Sequence, residues 1–516
     1  MNIKKIFNNK IFLIFLAPFF LGISSTLSFQ PFNLTFVNFI ILPLFFLIIT
    51  YVSKRSKNIY RRKPYLQNLF FIGYMFGFGF FLSGIYWISY SLTFDEKFVY
   101  LIPISLVLMP MLLGLFFGIA IVSVGAFLKN NIASIFLFCC SLSFFDYMRS
   151  KILTGFPWNI WGYSWSWFTE MIQILNPIGL FAFNLLSLTL FCAPLLLVFK
   201  KKLSNLYILS IIILLSFSNY IYGSFMVNSS PKNTDQNSIN IKLISPNFDL
   251  EYNLSSNQIE KKLQRLVKFS EPNKNKDTIF IWPEGVFTGY DLDELSAYKK
   301  IVENNFSRKH TILFGINTKN KKNGEIYNSL VAVNSSFEKI YQYNKKKLVP
   351  FGEFIPFEKQ FNKLGLKKIT EGHGSFARGA VQENLLINDL NILPLICYEI
   401  IFPEMIQKMN QDTNLIINVS EDAWFGKSIG PHQHFAKAIF RAVESNTILA
   451  RSANQGITAF IDNRGKVIKR LEPYEAGNIE LEILLNSSNY KNRNDLIFFV
   501  LLITYTIIFF TLRNKL

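Results

Sequence analysis

The stretch "NILPLICYEIIFPE" (391–404) is an apolar run that ends in a thiol, Cys397, with Glu399 and Glu404 following almost at once. Its length and its bounding polar residues read as a strand of a layered α/β fold. A cysteine at the end of such a run has two accounts. Free cysteine is among the most buried residue types, so it packs. Otherwise it is a nucleophile that needs a base from elsewhere in the chain.

Outward from this stretch, residues 225–490 alternate strand and helix patterns. "INIKLIS" (239–245), "TIFIW" (278–282), "TILFGIN" (311–317), "SLVAVN" (329–334) and "NLIINVS" (414–420) are predicted strands. "SSNQIEKKLQRLVKFS" (255–270) sets Ile259, Leu263, Leu266 and Val267 on one face of a helix, and "HFAKAIFRAVES" (434–445) is a second amphipathic helix. "ITAFIDNRGKVIKRL" (457–471) is a hairpin with an Asn-Arg-Gly turn. The alternation predicts a layered α/β domain with its strands near the centre.

Three further stretches place reactive groups at strand ends or in loops. In "IFIWPEG" (279–285), Pro283 stops the strand and Glu284 projects at its end, either as an ordinary turn carboxylate or as a partly desolvated one suited to act as a base. In "YNKKKLVPFGEFIPFE" (343–358), three lysines run into a loop too apolar for ordinary surface. One lysine turned inward would stabilise an oxyanion, while Val349, Phe351, Phe354, Ile355 and Phe357 would dip into a bilayer or line an acyl pocket. "NVSEDAWFGKSIGPHQHF" (418–435) holds His432 and His434 two residues apart in a predicted loop. With no ligand spacing at His310 or His373, no metal site is expected. A Cys–His dyad ranks below a Glu–Lys–Cys arrangement, because no third group stands out for it.

The remainder of the chain is membrane-like. Of 516 residues half are hydrophobic and 55 are phenylalanine, with a mean hydropathy of +0.27. Apolar stretches of spanning length lie near 11–29, 34–52, 68–92, 99–128, 132–149, 171–199 and 205–223, and an eighth near 495–512. The expected division is a membrane domain over 1–224, an outer catalytic domain over 225–490, and a last span with its tail over 491–516. Lysine and arginine cluster in alternate loops, as in "SKRSKNIYRRK" (53–63), whereas "SFQPFN" (28–33) and "TFDEK" (93–97) are neutral or acidic. The positive-inside rule then puts the polar segment outside the cytoplasmic membrane, and "GFPWNIWGYSW" (155–165) on the same side, as an aromatic belt or a substrate contact. The net charge of +19 suits cytoplasmic loops and anionic lipid. No basic helix with interleaved aromatics points to nucleic acid. Of four cysteines, Cys139, Cys140 and Cys192 lie in apolar runs, so there is no disulfide framework to read.

A Glu in "WPEG", a Lys before "LVPFGE" and a Cys in "ICYE", in that order, resemble the nitrilase superfamily with its Glu-Lys-Cys triad. With seven apolar stretches before that domain and one after it, the resemblance narrows to the apolipoprotein N-acyltransferase family. "NVSEDAWFG", the following "GP" and "QH", and "GFPW" are similar to that family too, so nearly the whole chain is covered. The resemblance implies a polytopic α-helical membrane domain of eight spans plus an α/β nitrilase-like αββα sandwich. It implies Glu284 as general base, Cys397 as nucleophile and Lys345 as the oxyanion-side lysine. Lys345 is chosen over Lys346 and Lys347 because the family's lysine lies eight residues before the Glu of "PFGE", here Glu353 (353 − 8 = 345). Glu353, Tyr398 and Glu399 would support the triad. Tyr252, Phe351, Phe354, Phe357, Trp424 and Phe425 are the substrate-loop candidates. Tyr252 is the nearest aromatic where the family commonly has a Trp, Glu421 stands for a common Asn, and Asp146 for a usual Glu.

The resemblance further implies a phospholipid acyl donor, phosphatidylethanolamine, and a diacylglyceryl apolipoprotein acceptor, with an acyl-thioester on Cys397 between two half-reactions. No metal or organic cofactor is called for, and a monomer in the bacterial inner membrane is expected, its catalytic domain periplasmic. One rival is a membrane-tethered amidase that acts on a small amide with the same triad. Another is a non-catalytic scaffold or transporter, which has no need of Glu284, Lys345 and Cys397 together.

Overall fold

The computed structural model describes residues 9–59, 64–199, 203–229, 238–252, 254–356, 375–380, 384–387, 389–407, 409–484 and 495–513. The chain divides into two compact units. One comprises Met1–Ser89, Leu101–Ser229 and Arg493–Leu516, the other Tyr90–Tyr100 and Ser230–Asn492.

Seven helices among the described residues, in the first unit except for the start of the third, are long and apolar enough to cross a membrane: Thr35–Lys54, Tyr65–Gly84, Glu96–Val124, Ile132–Lys151, Leu180–Val198, Leu203–Asn228 and Leu496–Arg513. The first of the eight expected stretches is a shorter run, Phe12–Ser28. It opens with a π-turn over Phe12–Leu16 and closes with a 3₁₀ turn over Thr26–Ser28. Its 17 residues rise about 25 Å at α-helical pitch, less than a hydrocarbon core of ~30 Å. The expected span at 68–92 stops at Gly84, and the one at 171–199 breaks at Gly179, whose φ of +78° lies outside the helical region. Helices approach closely at small residues: a Cβ on Gly77 would lie 3.0 Å from Gly114 Cα.

"GFPWNIWGYSW" is not an exposed belt. Trp158, Trp161, Tyr163 and Trp165 are buried, and Trp161 stacks on Phe80 with ring centroids 5.0 Å apart. A buried ion pair holds this segment. Arg149 Nη2 donates to Asp146 Oδ1 (2.9 Å) and Asn159 O (3.4 Å), and Nη1 donates to the Phe156 carbonyl. Asn184 Nδ2 donates to Asp146 Oδ2 (3.2 Å), while its Oδ1 accepts from the Gly162 N–H (3.1 Å).

The second unit holds twelve strands among the described residues: β1 (Ser238–Ser245), β2 (Thr278–Ile281), β3 (His310–Lys319), β4 (Ile326–Val333), β5 (Lys339–Asn344), β6 (Leu385–Ile387), β7 (Leu390–Ile396), β8 (Leu415–Glu421), β9 (Ile448–Asn454), β10 (Thr458–Ile461), β11 (Val467–Leu471) and β12 (Gly477–Leu484). They form two six-stranded sheets, ordered β12-β1-β2-β3-β4-β5 and β11-β10-β9-β8-β7-β6. Each has a parallel trio, β1-β2-β3 or β7-β8-β9, flanked by antiparallel strands. Ile241, Ile281 and Leu330 of one sheet share a core with Ile392, Ile417 and Ala450 of the other, so the sheets pack face to face. On the far side of the first sheet, Phe280, Trp282 and Phe314 pack with Ile259, Leu263 and Leu266 of helix Ser256–Ser270. Ser255 caps that helix through a capping box with Gln258. The layers are those of an αββα sandwich. Strands β5, β6, β9 and β12 are additions to the strands read from sequence.

Removing Arg149 would leave Asp146 buried without its cation and free two backbone carbonyls. Arg149→Met is expected to destabilise the folded protein by roughly 3–5 kcal/mol, read as a lowered unfolding midpoint in detergent. Arg149→Lys, which keeps the charge, should lose less.

Candidate active site

The parallel strands of both sheets end on the same side of the sandwich core, and the reactive groups sit just past those ends. Glu284 follows β2 by way of Trp282 and Pro283, Lys345 follows β5, Cys397 follows β7, and Glu421 closes β8. The carboxyl ends of parallel strands are the usual place for a site in α/β sheets.

Glu284 is buried, with its side chain 10% exposed. Its Oε1 accepts from Asn328 Nδ2 (2.7 Å) and Lys345 Nζ (3.3 Å), and Oε2 accepts from the Glu421 N–H (3.2 Å). Gly315 of β3 makes room for it, since a Cβ there would lie 2.7 Å from Glu284 Cα. Trp282 packs in the helix-side core instead and donates Nε1–H to Ser270 Oγ (2.9 Å).

Lys345 is 1% exposed and also donates to Glu353 Oε1 (2.8 Å). Burial alone would depress its pKa, but the carboxylates of Glu284 and Glu353, with the Cys397 sulfur, hold it above the ordinary lysine range. Asn328 Nδ2 bridges the two acids, donating to Glu353 Oε1 at 2.6 Å. Glu353 Oε2 accepts from the Val349 N–H (2.8 Å), which ties the apolar loop to the lysine.

Cys397 begins a 3₁₀ turn, Cys397–Ile401, with φ of +45°. A non-glycine residue held in the left-handed region costs on the order of 1–3 kcal/mol. Burial pushes the thiol pKa up, the Glu284 charge pushes it further, and Lys345 and a hydrogen bond with Ser420 act in the opposite direction. The resting group is a protonated thiol.

Glu399 fastens the cysteine turn to the lysine strand. Its Oε1 accepts from Tyr343 OH (2.9 Å) and the N–H groups of Lys346 (2.7 Å) and Lys347 (3.1 Å), while Oε2 accepts from the Ile396 N–H (2.8 Å). Burial raises its pKa against these donors and the Lys345 charge. Tyr398 is buried, its ring edge-on to Phe402 at 5.0 Å. Glu404 starts the short helix Glu404–Gln407 and pairs with Lys347 Nζ (2.9 Å).

Behind Cys397 lies a second polar cluster. Asp422 Oδ2 pairs with Arg451 Nη2 (2.7 Å), Ser420 Oγ donates to Asp422 Oδ1 (2.7 Å), and Arg451 Nη1 donates to Asn418. His434 contacts the Cys397 carbonyl and not its sulfur: Nε2 lies 3.3 Å from that oxygen. Burial and the Arg451 charge hold its pKa down at about 4, against the pull of Asp422, so the ring is neutral at neutral pH. The hydrogen bonds assign the proton to Nε2, leaving Nδ1 to accept from Arg451 Nη2 (3.0 Å). Among the described residues, no group of three His, Cys, Asp or Glu side chains is placed to hold a metal ion.

The loop candidates divide. Phe351 is 39% exposed; Phe354 is half-buried, with Arg378 over its ring at 4.9 Å. Trp424 is half-buried and edge-on to Phe94 (5.1 Å), with Tyr252 at 6.5 Å. Phe425 is buried, edge-on to His434 (5.3 Å). Phe357 lies outside the described residues. Asn328, Ser420, Arg451 and Asn454 escaped the sequence reading. Polarity inside strands was their signal, as in "ILARSAN" (448–454), where Arg451 is fully buried.

Residues 21–193 match the family model of the apolipoprotein N-acyltransferase N-terminal domain, and residues 250–488 match the carbon-nitrogen hydrolase model. The apolipoprotein N-acyltransferase of Rickettsia prowazekii (strain Madrid E) is 34% identical over 475 residues, 89% of this chain and 90% of that one. That of Rhizobium leguminosarum bv. trifolii (strain WSM2304) is 30% identical over 433 residues, 81% and 80%. Among solved structures, an amidase of the nitrilase superfamily from Nesterenkonia AN1 is 15% identical with a TM-score of 0.37, covering 50% of this chain and 95% of that one.

The folded-state pKa of His434, about 4, lies below the ordinary 6.5. Between these values the unfolded chain binds a proton that the fold excludes, so stability falls as pH drops from about 6.5 to 4. The loss reaches about 3 kcal/mol at one pKa unit per 1.36 kcal/mol. His310 and His432, also lowered by burial, act in the same direction. Unfolding midpoints across this window should therefore fall less steeply in His434→Gln than in wild type; equal slopes would contradict the assignment of a buried neutral imidazole.

Proposed function

The chain belongs to the apolipoprotein N-acyltransferase family, and on that premise we propose that it moves an acyl chain from a phospholipid to the α-amino group of a diacylglyceryl-cysteine at the N-terminus of an apolipoprotein. The observation that carries this reading is the meeting of Glu284, Lys345 and the Cys397 turn at the strand ends of two sheets, in a chain that also bears seven helices of spanning length. Family membership supports phosphatidylethanolamine as donor. The charge alternation of the loops supports a periplasmic site on the bacterial inner membrane.

The resting thiol is protonated, so attack needs a base in place. Glu284 takes the proton as the Cys397 sulfur bonds to the carbonyl carbon of the donor ester. Charge develops on the ester oxygen, where Lys345 Nζ and the N–H of Tyr398 are the donors. One such donor is typically worth roughly 3–4 kcal/mol. The bond from carbon to the glycerol oxygen then breaks. Glu284 returns its proton to that oxygen, and the lysophospholipid leaves an acyl-thioester. In the second half the acceptor amine bonds to the thioester carbon and gives its proton to Glu284. The carbon–sulfur bond breaks, and the proton goes back to sulfur. Lys345 needs both neighbours for this: Glu353 keeps it charged and positioned while Glu284 changes its proton.

The apolar loop fits a lipid substrate. Glu353, bonded to Lys345, lies between Phe351 and Phe354, so the loop that carries those rings is tied to the lysine. With Trp424 they would take the acyl chain. Burial of Phe425 against His434 leaves it a packing role.

Mass spectrometry of the full-length enzyme incubated with phosphatidylethanolamine should show an acyl mass on the peptide carrying Cys397, released by hydroxylamine and absent from Cys397→Ala. Glu284→Gln is expected to slow acylation by roughly 10²–10⁴-fold, and Lys345→Met by roughly 10²–10³-fold. An acyl mass on Cys397→Ala would refute the thioester. Turnover of short amides without any lipid-dependent acylation would favour an amidase.

A further inference from the structure

His434 is a buried titratable group to which the acyl-transfer scheme gives no task. It lies in the first half of helix Gly430–Ser445 and is completely buried. Its Nε2–H points at the carbonyl oxygen of Cys397, 3.3 Å away. Its other nitrogen faces Arg451 Nη2 at 3.0 Å and Asp422 Oδ1 at 3.1 Å. Arg451 is itself pinned by both oxygens of Asp422, at 3.0 and 2.7 Å, and by Asn418.

Taking Cys397 as the acyl-accepting thiol, as proposed above, we infer that His434 is a positioning residue that orients the Cys397–Tyr398 peptide and so aims the Tyr398 N–H at the developing oxyanion. The peptide unit is planar, and in its trans form the C=O and N–H point in opposite directions. A donor fixed on the Cys397 oxygen therefore fixes the Tyr398 N–H as well. The need is real at this turn. Cys397 is held at φ +45°, a region that L-residues other than glycine seldom occupy without support. The support is stiff: a ring clamped between a buried ion pair and the edge-on Phe425 ring has little freedom to follow a moving peptide. Neutrality matters too, because a neutral ring protonated on Nε2 keeps Nδ1 as an acceptor beside the Arg451 guanidinium, whereas protonation would set a second cation against it.

The test uses the full-length protein in mixed micelles with phosphatidylethanolamine. Two reactions of Cys397 are followed: acyl-enzyme formation, which develops an oxyanion, and alkylation by iodoacetamide, which does not. His434→Phe keeps a ring but loses the donor. It should slow acylation roughly 10- to 100-fold, with the donor KM within about twofold and alkylation within about threefold of wild type. His434→Gln restores an N–H at the Nε2 position and should recover most of the acylation rate. Unchanged acylation in His434→Phe overturns the inference, and so does a parallel loss of acylation and alkylation, which marks a merely structural residue. Equal losses in the Phe and Gln variants overturn it as well. If His434→Phe does not fold, His434→Gln decides: acylation within about threefold of wild type supports the donor role, and a larger loss refutes it. Cys397→Ala, run alongside, separates the two readings. An adduct surviving in that variant sinks the thioester scheme, whereas an adduct lost there but unaffected by His434→Phe sinks only the role of His434.

Discussion

A buried ammonium is the constraint around which the second unit is organised. Lys345 has lost its water, and an isolated charge in such a place is prohibitively costly. Two carboxylates, Glu284 and Glu353, offset that cost together. Two acids against one cation leave excess negative charge, and Asn328 shares its amide between them. The geometry of β2, β4, β5 and the loop after β5 is thereby fixed by one charge. Glu399 extends the same logic to the cysteine strand by gathering the N–H groups of Lys346, Lys347 and Ile396 on one carboxyl. A chain that satisfies Lys345 has already brought Glu284, the lysine and the cysteine-bearing turn together.

The cysteine side is arranged on a different principle. There the thiol is kept neutral by burial, and the Asp422 carboxylate, paired with Arg451 and bonded to Ser420, acts in the same direction. A cation as close to the sulfur as Arg451 is to Asp422 would favour a thiolate, whereas burial beside Glu284 favours the protonated thiol. Backbone strain at Cys397 is tolerable because both flanks of the turn are bonded, at the Ile396 N–H by Glu399 and at the Cys397 oxygen by His434.

The membrane unit repeats the theme on its own terms. Asp146 and Arg149 lie one helical turn apart, so their side chains meet on one face. Arg149 also donates to backbone carbonyls of the aromatic segment after the helix, and Asp146 also accepts from Asn184. Charges within apolar helices are expensive and seldom idle. Here they turn a loop rich in Trp and Gly into buried, fixed structure.

How much of this was legible in the chain depends on the range of the interaction involved. Hydrophobic periodicity is local, so helix Ser256–Ser270, the strands around 241, 279, 313 and 417, and seven of the eight apolar stretches followed from the sequence by itself. Glu284, Lys345 and Cys397 were legible as residues because each ends or follows a strand in a recognisable motif. Strands β5 and β9 were not: β5, with a lysine at its start and a glutamine inside, has too little apolar pattern to read, and β9 is interrupted by a buried arginine whose charge is offset by Asp422 at another strand's end. The same holds for Asn328 and His434: an asparagine in a strand and a histidine on a helix are ordinary until two sheets face each other. The excursion Tyr90–Tyr100 carries the point furthest. It reads as the end of one span, the short loop "TFDEK" and the start of the next, yet Phe94 packs on Trp424 and Tyr90 lies against Gly426. Patterning along the chain decides which elements form. Which polar groups are buried together is decided only when distant elements meet, because a desolvated charge is stable only beside the partner that the tertiary fold supplies.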